Sequence, residues 1–237
     1  MKALIDLHTH TISSGHAFST LKENIEAAKE KGLVVLGISD HAISMPGTAH
    51  SFYFDNLNVI GDEIMGVRVL KGIEGNIIDF DGSIDVEDKL AVKLDYVIAS
   101  FHPVCLPSGT TYQNTNALIK AMDNPYVKVI GHPDDSRIPL DFEKLVLAAK
   151  EKNMVFEINN SSTSPRSFRV NARENQKTLL NLCKEHGVKI IMGSDAHIYY
   201  EVGEFSESYK LLEEIEFPDE LVLNYSLDSL EYILGKR

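Results

Sequence analysis

KALIDLHTH, residues 2–10, begins as an apolar, strand-forming run and ends on two imidazoles. Alternate residues of a strand point to the same side, so His8 and His10 face one direction and Thr9 the other. The same ending recurs along the chain. VVLGISDH closes on His41, YVIASFH on His102, VKVIGH on His132 and KIIMGSDAH on His197. VRVLKGIE closes on Glu74, Asp195 lies inside the SDAH stretch, and His16 follows His10 in the next loop. Imidazole and carboxylate delivered repeatedly to one end of a parallel sheet is how a barrel enzyme assembles a metal centre. A lone HxH carries little information, because histidine also serves as an ordinary half-buried polar residue. Seven histidines, one Glu and one Asp recurring at or near strand ends carry far more.

Between these endings the chain alternates apolar, β-branched runs with segments of helical period. Seven strands are expected near 2–8, 34–39, 67–74, 96–101, 127–131, 154–159 and 189–194. Their ends stand about thirty residues apart, the pitch of one βα unit. Ser19 reads as an N-cap before Leu21, Ile25 and Ala28, with Gly32 as the stop. Asp141 caps a helix carrying Leu145, Ala148 and Ala149, and Asn171 with Glu174 reads as a capping box for a helix ending at Gly187. Residues 204–215 and 226–235 are expected to be closing helices. Asp81-Gly82, between strand-like flanks, is a hairpin signal.

Bulk properties narrow the class. At 237 residues the length suits a single α/β barrel, so one domain over 1–237 is expected. No apolar run approaches the ~18 residues of a membrane span, and the opening residues pass directly into a strand without a signal-peptide pattern. Two cysteines, Cys105 and Cys183, form no disulfide framework, which fits a reducing compartment and a cytoplasmic location. A formal charge of −12 argues against a general nucleic-acid binder. It does not exclude an anionic substrate, because divalent ions in one cleft make the local field positive.

The ordered motifs DLHTHT…SGH, SDH, a Glu ending the third strand, FHP, GHP and GSDAH resemble those of the PHP (polymerase and histidinol phosphatase) family, from Asp6 to His197. More narrowly the chain is similar to the small stand-alone PHP phosphatases. The resemblance implies a distorted (β/α)7 barrel, TIM-barrel-like, with a trinuclear metal site at the C-terminal ends of the strands. By that pattern His8, His10, Glu74 and Asp195 hold one metal. Glu74 bridges to a second, held by His102 and His132, and His16, His41 and His197 hold the third. Three divalent ions are implied, Zn2+ by ligand type, with Mn2+ or Fe2+ left open. The activity implied is phosphoesterase chemistry on a small phosphomonoester. A metal-activated hydroxide is the nucleophile, and Glu74 and Asp195 carry the catalytic site.

Other residues stand beside that core. Arg166, Arg169 and Arg173, in NNSSTSPRSFRVNAR, offer guanidinium groups for phosphate, with Arg137 a further candidate. His50, in the loop after the second strand, is a candidate substrate contact or proton donor. Asp40 is expected to orient other groups rather than to ligate, and His186 to serve the helix dipole. Cys105 reads as a loop residue and Cys183 as core. The rival functions are histidinol-phosphate phosphatase, phosphoprotein phosphatase, DNA exonuclease and a non-catalytic zinc-binding module. Partners are a small phosphorylated substrate and neither membrane nor nucleic acid; a homo-oligomer is left open.

Overall fold

The seven expected strands pair into one parallel sheet, with helices in between, in the computed structural model, which describes residues 1–235. They are β1 (Ile5–Asp6), β2 (Val35–Ile38), β4 (Val67–Asn76), β5 (Tyr96–Ser100), β6 (Val127–Gly131), β7 (Val155–Asn159) and β8 (Ile190–Gly193), in that spatial order. An eighth, β3 (Glu63–Ile64), pairs antiparallel with β4 and was not foreseen. The sheet curls until β1 and β8 nearly meet. Thr9 bridges to Ala196 at the upper end of that seam. Lower down, buried Asn224 accepts from Met192 N–H at 2.7 Å and donates to the carbonyls of Ile5 and Met192, both at 2.8 Å. A side-chain amide thus takes the place of ladder hydrogen bonds that the two short strands cannot make with each other.

The interior is filled rather than hollow, as barrel interiors are. Ile5, Leu7, Val35, Tyr96, Ile98 and Val129 form a central cluster that Leu223, Leu230 and Ile233 of the C-terminal segment join. Tyr96 lies across it and donates to Leu7 O at 2.6 Å. A Cβ on Gly37 would stand 2.1 Å from its hydroxyl and one on Gly72 2.2 Å from its ring, so both positions need glycine for a close approach. The larger apolar cluster, between sheet and helices, buries Ile25 and Ala28 of α1 (Leu21–Lys31), Leu145 and Ala149 of α5 (Phe142–Lys152), and Leu179 and Cys183 of α6 (Ala172–His186).

Helix boundaries largely follow local chemistry, with two corrections. Thr20, not Ser19, caps α1, in a reciprocal box with Glu23, while Ser19 Oγ accepts from Tyr199 N–H at 2.8 Å. Asn171 precedes α6, but no capping box forms. Its φ of 58° puts it in the left-handed region, and its amide turns to Asn175. Asp141 caps α5 and Gly32 and Gly187 end α1 and α6, as expected. The sequence reading omitted α4 (Thr111–Ala121), which Thr110 and Gln113 cap. The remaining helices are α2 (Ser51–Asp55), α3 (Asp88–Ala91), α7 (Ser206–Glu214) and α8 (Leu230–Leu234). The 226–235 segment is only partly α-helical, its start being a 3-10 turn at Leu227–Ser229. Gly82 turns a small hairpin closed by an Ile77–Ile84 bridge. No helix among the described residues is long and apolar enough to cross a membrane.

Candidate metal centre and active-site cleft

Eight of the nine candidate ligand residues follow or end barrel strands at their C-terminal ends, and His16 comes from the loop before α1. His8 and His10 follow β1, His41 follows β2 and bridges in register to Glu74 near the end of β4, and His102 and His132 follow β5 and β6. Asp195 and His197 follow β8. Two of these positions have backbones outside the ordinary regions, His132 with φ 28° and Asp195 with φ 52°. Such strain persists only where surroundings impose it. His132 N–H donates to Glu157 Oε2 at 2.9 Å, and Asn159 Nδ2 donates to Asp195 Oδ2 at 3.1 Å.

Glu74 is the hub. Its Oε2 stands 3.4 Å from His8 Nε2, 3.6 Å from His10 Nε2 and 2.7 Å from His41 Nδ1. Its Oε1 lies 2.8 Å from His132 Nε2 and 3.3 Å from His102 Nε2. Asp195 Oδ1 is 3.5 Å from His8 Nε2 and 3.2 Å from His10 Nε2. Ligands ~2.0–2.2 Å from a tetrahedral ion stand roughly 3.3–3.6 Å apart, so His8 and His10 stand at about ligand spacing from both Glu74 and Asp195. His16 Nε2 and His197 Nε2 are 3.0 Å apart, and the ring centre of His41 is 5.0 Å from that of His16. His41 Nδ1 faces Glu74, and the compact ligand trios join His41 with His10 and His197, and with Glu74 and His102. The ligands form one continuous cluster around Glu74 rather than separate sets.

Buried polar atoms ordinarily find partners. Here His8 Nε2, His10 Nε2, His41 Nδ1 and Glu74 Oε2 are buried without an aligned hydrogen bond. Their convergence, with nitrogen and oxygen donors only, fits divalent transition ions. At four of the histidines the opposite ring atom is held. His8 Nδ1 meets Glu157 Oε1 at 2.6 Å, His10 Nδ1 meets Ser14 Oγ at 3.0 Å, His102 Nδ1 meets Asn76 Oδ1 at 2.7 Å, and His197 Nδ1 meets Asp195 O at 2.9 Å. Partners of this kind fix ring orientation and tautomer, leaving the other nitrogen for a cation. Asp40 supports the layer beneath as expected of an orienting group. It accepts from Ser14 Oγ and Tyr53 Oη, both at 2.6 Å, and from Thr11 N–H at 2.7 Å. Glu157 and Asn76 were missed by sequence reasoning. A Cβ on Gly193 would overlap Glu157 Oε1 at 1.8 Å, so a residue without a side chain leaves the room this carboxylate occupies.

Charge in the cluster is arranged against burial. Desolvation opposes a proton on His8, but Glu157, Glu74 and Asp195 outweigh it and hold that imidazole well above its usual range. Desolvation would likewise raise Glu74 and Asp195, yet the surrounding imidazoles keep both carboxylates well below theirs. Burial pushes His102 down to about 4 and, with His197 and His41 nearby, lowers His10 far and His16 less. Neutral imidazoles and ionised carboxylates are the forms that ligate cations.

A cleft opens above the cluster, lined by His16, His41, His102, His132, Asp195 and His197 on its inner side. Of the arginines, Arg169 is partly buried, bonds Ser162 Oγ and lies 3.5 Å from Asp195 Oδ2. Arg166 also lines the cleft, largely exposed and paired with Glu201. Arg137 lines it, paired with Asp135. Arg173 instead pairs with Glu214, outside the lining. His50 is not a lining residue either. It caps α2, accepting from Phe52 N–H at 3.3 Å, and stacks on the Phe52 ring. Cys183 is buried in the core, and Cys105 is a half-buried loop thiol pushed up to about 11 by burial.

A barrel of parallel strands with a histidine–carboxylate cluster at their C-terminal ends defines a metallohydrolase-type site. The PHP domain matches residues 6–161, and the chain belongs to that family. A probable phosphatase of Acetivibrio thermocellus is 45% identical over 238 residues, covering 100% of this chain and 98% of that protein. A probable phosphatase of Caldanaerobacter subterraneus subsp. tengcongensis is 48% identical over 242 residues, covering 100% and 93%. Among solved structures, histidinol phosphate phosphatase from Lactococcus lactis subsp. lactis, in complex with zinc, L-histidinol and phosphate, superposes with a TM-score of 0.64 at 17% identity. That match covers 92% of this chain and 95% of the other, and at such identity it speaks for the fold. Family and full-length relatives support phosphatase activity.

Proposed function

We propose that the protein is a metal-dependent phosphomonoesterase with three divalent ions, zinc by donor type, held by His8, His10, His16, His41, Glu74, His102, His132, Asp195 and His197. The observation that carries this reading is the set of buried, unpartnered donors of His8, His10 and Glu74, with Asp195 at ligand spacing from both imidazoles. We keep the allocation in which Glu74 joins two ions, because its two oxygens face different imidazoles. His41 would join His16 and His197 in holding the third ion, its ring centre lying 5.0 Å from that of His16 and 5.9 Å from that of His197.

Bound ions of this kind neutralise phosphoryl oxygens and lower the pKa of water, supplying a nucleophile near neutral pH. The chain does the rest. Glu157 holds His8 so that Nε2 faces the cluster, and Ser14 and Asn76 do the same for His10 and His102. Arg169, partly buried beside Asp195, offers a guanidinium to nonbridging phosphate oxygens, with Arg166 at the mouth as a second contact. A monoester dianion presents three such oxygens and a diester only two, which favours monoesters in a site of several cations.

The same proposal takes 1–237 as one domain, since Asp195 and His197, beyond the matched 6–161, complete the ligand set. It places the enzyme in the cytoplasm, consistent with two free thiols. The test compares metal-loaded and chelator-treated protein on phosphomonoesters, bis-esters and single-stranded DNA. Metal-dependent hydrolysis with the highest kcat/KM on monoesters is expected. Efficient degradation of oligonucleotides with every monoester untouched would overturn the proposal.

A further inference from the structure

The cleft is far larger than a phosphoryl group requires. Its volume is about 590 Å3, within the range of pockets that enclose a whole small-molecule ligand. Beyond the metal-site residues its wall combines an apolar part, Met45, Phe101, Pro103, Val104, Ile138 and Phe168, with serines, three arginines and two carboxylates. Phe101 and Ile138 are buried beneath this surface, whereas Phe168 is 76% exposed. An aromatic side chain left that open at a site mouth is unspent apolar area.

Phe168 is also tied to the charged groups. The guanidinium of Arg137 lies 5.3 Å from its ring centre and that of Arg169 6.0 Å. Arg169 is the partly buried arginine beside Asp195, so a phosphate on that guanidinium has the Phe168 ring as its neighbour. The cleft's two carboxylates outside the ligand cluster, Asp135 and Glu201, are each engaged by an arginine, Arg137 and Arg166 respectively. An ammonium group entering the cleft therefore meets arginines whose acidic partners are already taken.

We propose that this cleft takes phosphomonoesters whose alcohol carries a flat, uncharged ring seated against Phe168, and that it disfavours alcohols bearing an ammonium group. The inference rests on the phosphomonoesterase reading above and adds the leaving-group class to it. Ring packing against Phe168 supplies affinity through apolar area and offset stacking, which an alkyl or polyol group matches poorly. With Asp135 and Glu201 held by arginines, neither carboxylate is free to receive a cationic leaving group.

The experiment uses the metal-loaded full chain and three esters of primary alcohols, chosen so that intrinsic reactivity separates them little: 2-phenylethyl, propyl and 2-aminoethyl phosphate. The 2-phenylethyl ester is expected to exceed both others about tenfold or more in kcat/KM. In Phe168→Ala the preference for the ring ester over the propyl ester should fall roughly three- to tenfold, through KM, with metal content intact. Phe168→Tyr should restore it. Equal turnover of all three esters, or a preference unmoved by Phe168→Ala, overturns the ring-binding role while leaving a working phosphatase. Absence of hydrolysis of every monoester overturns the phosphatase reading and this one with it.

Discussion

Glu157→Gln tests the least expected part of the site, because it is nearly isosteric and touches no proposed ligand atom facing a metal. Glu157 Oε1 takes the His8 Nδ1 proton at 2.6 Å, while Oε2 accepts His132 N–H at 2.9 Å and Asn159 Nδ2 at 3.2 Å. All the partners are donors, and the residue is buried. Glutamine keeps one acceptor oxygen. If that oxygen serves His8, the new NH2 confronts the His132 and Asn159 donors. If it serves those two, the NH2 faces His8 Nδ1 and drives the proton to Nε2, where it blocks a cation. Either way one interaction with a charged acceptor is lost and a donor is left opposed, a cost of about 1.5–3 kcal/mol. That corresponds to roughly 10–100-fold in metal affinity, the usual penalty for losing an orienting partner. Competition titration of metal-free protein with zinc and a chromophoric chelator reads it, with phosphatase rates at saturating metal beside it. Wild-type affinity, stoichiometry and rate in Glu157→Gln would refute the reasoning.

Arg169→Ala should raise KM for a monoester about 10–100-fold, by loss of charge-assisted hydrogen bonds, with metal content unchanged by elemental analysis. Asn224→Ala should remove the three hydrogen bonds that close the β1–β8 seam and lower stability by about 2–4 kcal/mol, read by urea unfolding. In metal-free protein, burial holds His102 down to about 4, and His10 and His16 are lowered too. These groups stay neutral in the fold while the unfolded chain binds protons below about pH 6.5, so stability should fall as pH drops from 6.5 toward 4. His8, held above its usual range, acts in the opposite sense but is one group against three. A melting temperature that rises between pH 7 and pH 5 would contradict this.

The strand ends were legible because a ligand at the C-terminal end of a barrel strand has a signature in residue type: an apolar run that stops on His, Glu or Asp. Layers behind the ligands had no such signature. Glu157 sits in VFEIN, where a single charge reads as the solvent side of an alternating strand. The overlooked signal is that β7 is an interior parallel strand, covered on both faces, so its carboxylate has to be paired inside. Asn76 lies just beyond Glu74 on a strand that runs longer than the apolar pattern indicated. Arg169 and Arg173 are four residues apart in one segment, yet one enters the cleft and the other pairs with Glu214. The path of a loop, rather than its composition, decides that. The same holds for His50, which local geometry spends on capping α2.

Metal content measured on protein isolated without chelators bears most directly on the account. Elemental analysis should give close to three transition ions per chain, zinc predominating, and Glu74→Gln should lower that number and abolish phosphatase activity together, since Glu74 faces five imidazoles. A reproducible content of one ion or fewer, not restored by added metal, or near-wild-type metal content and activity in Glu74→Gln, would contradict it.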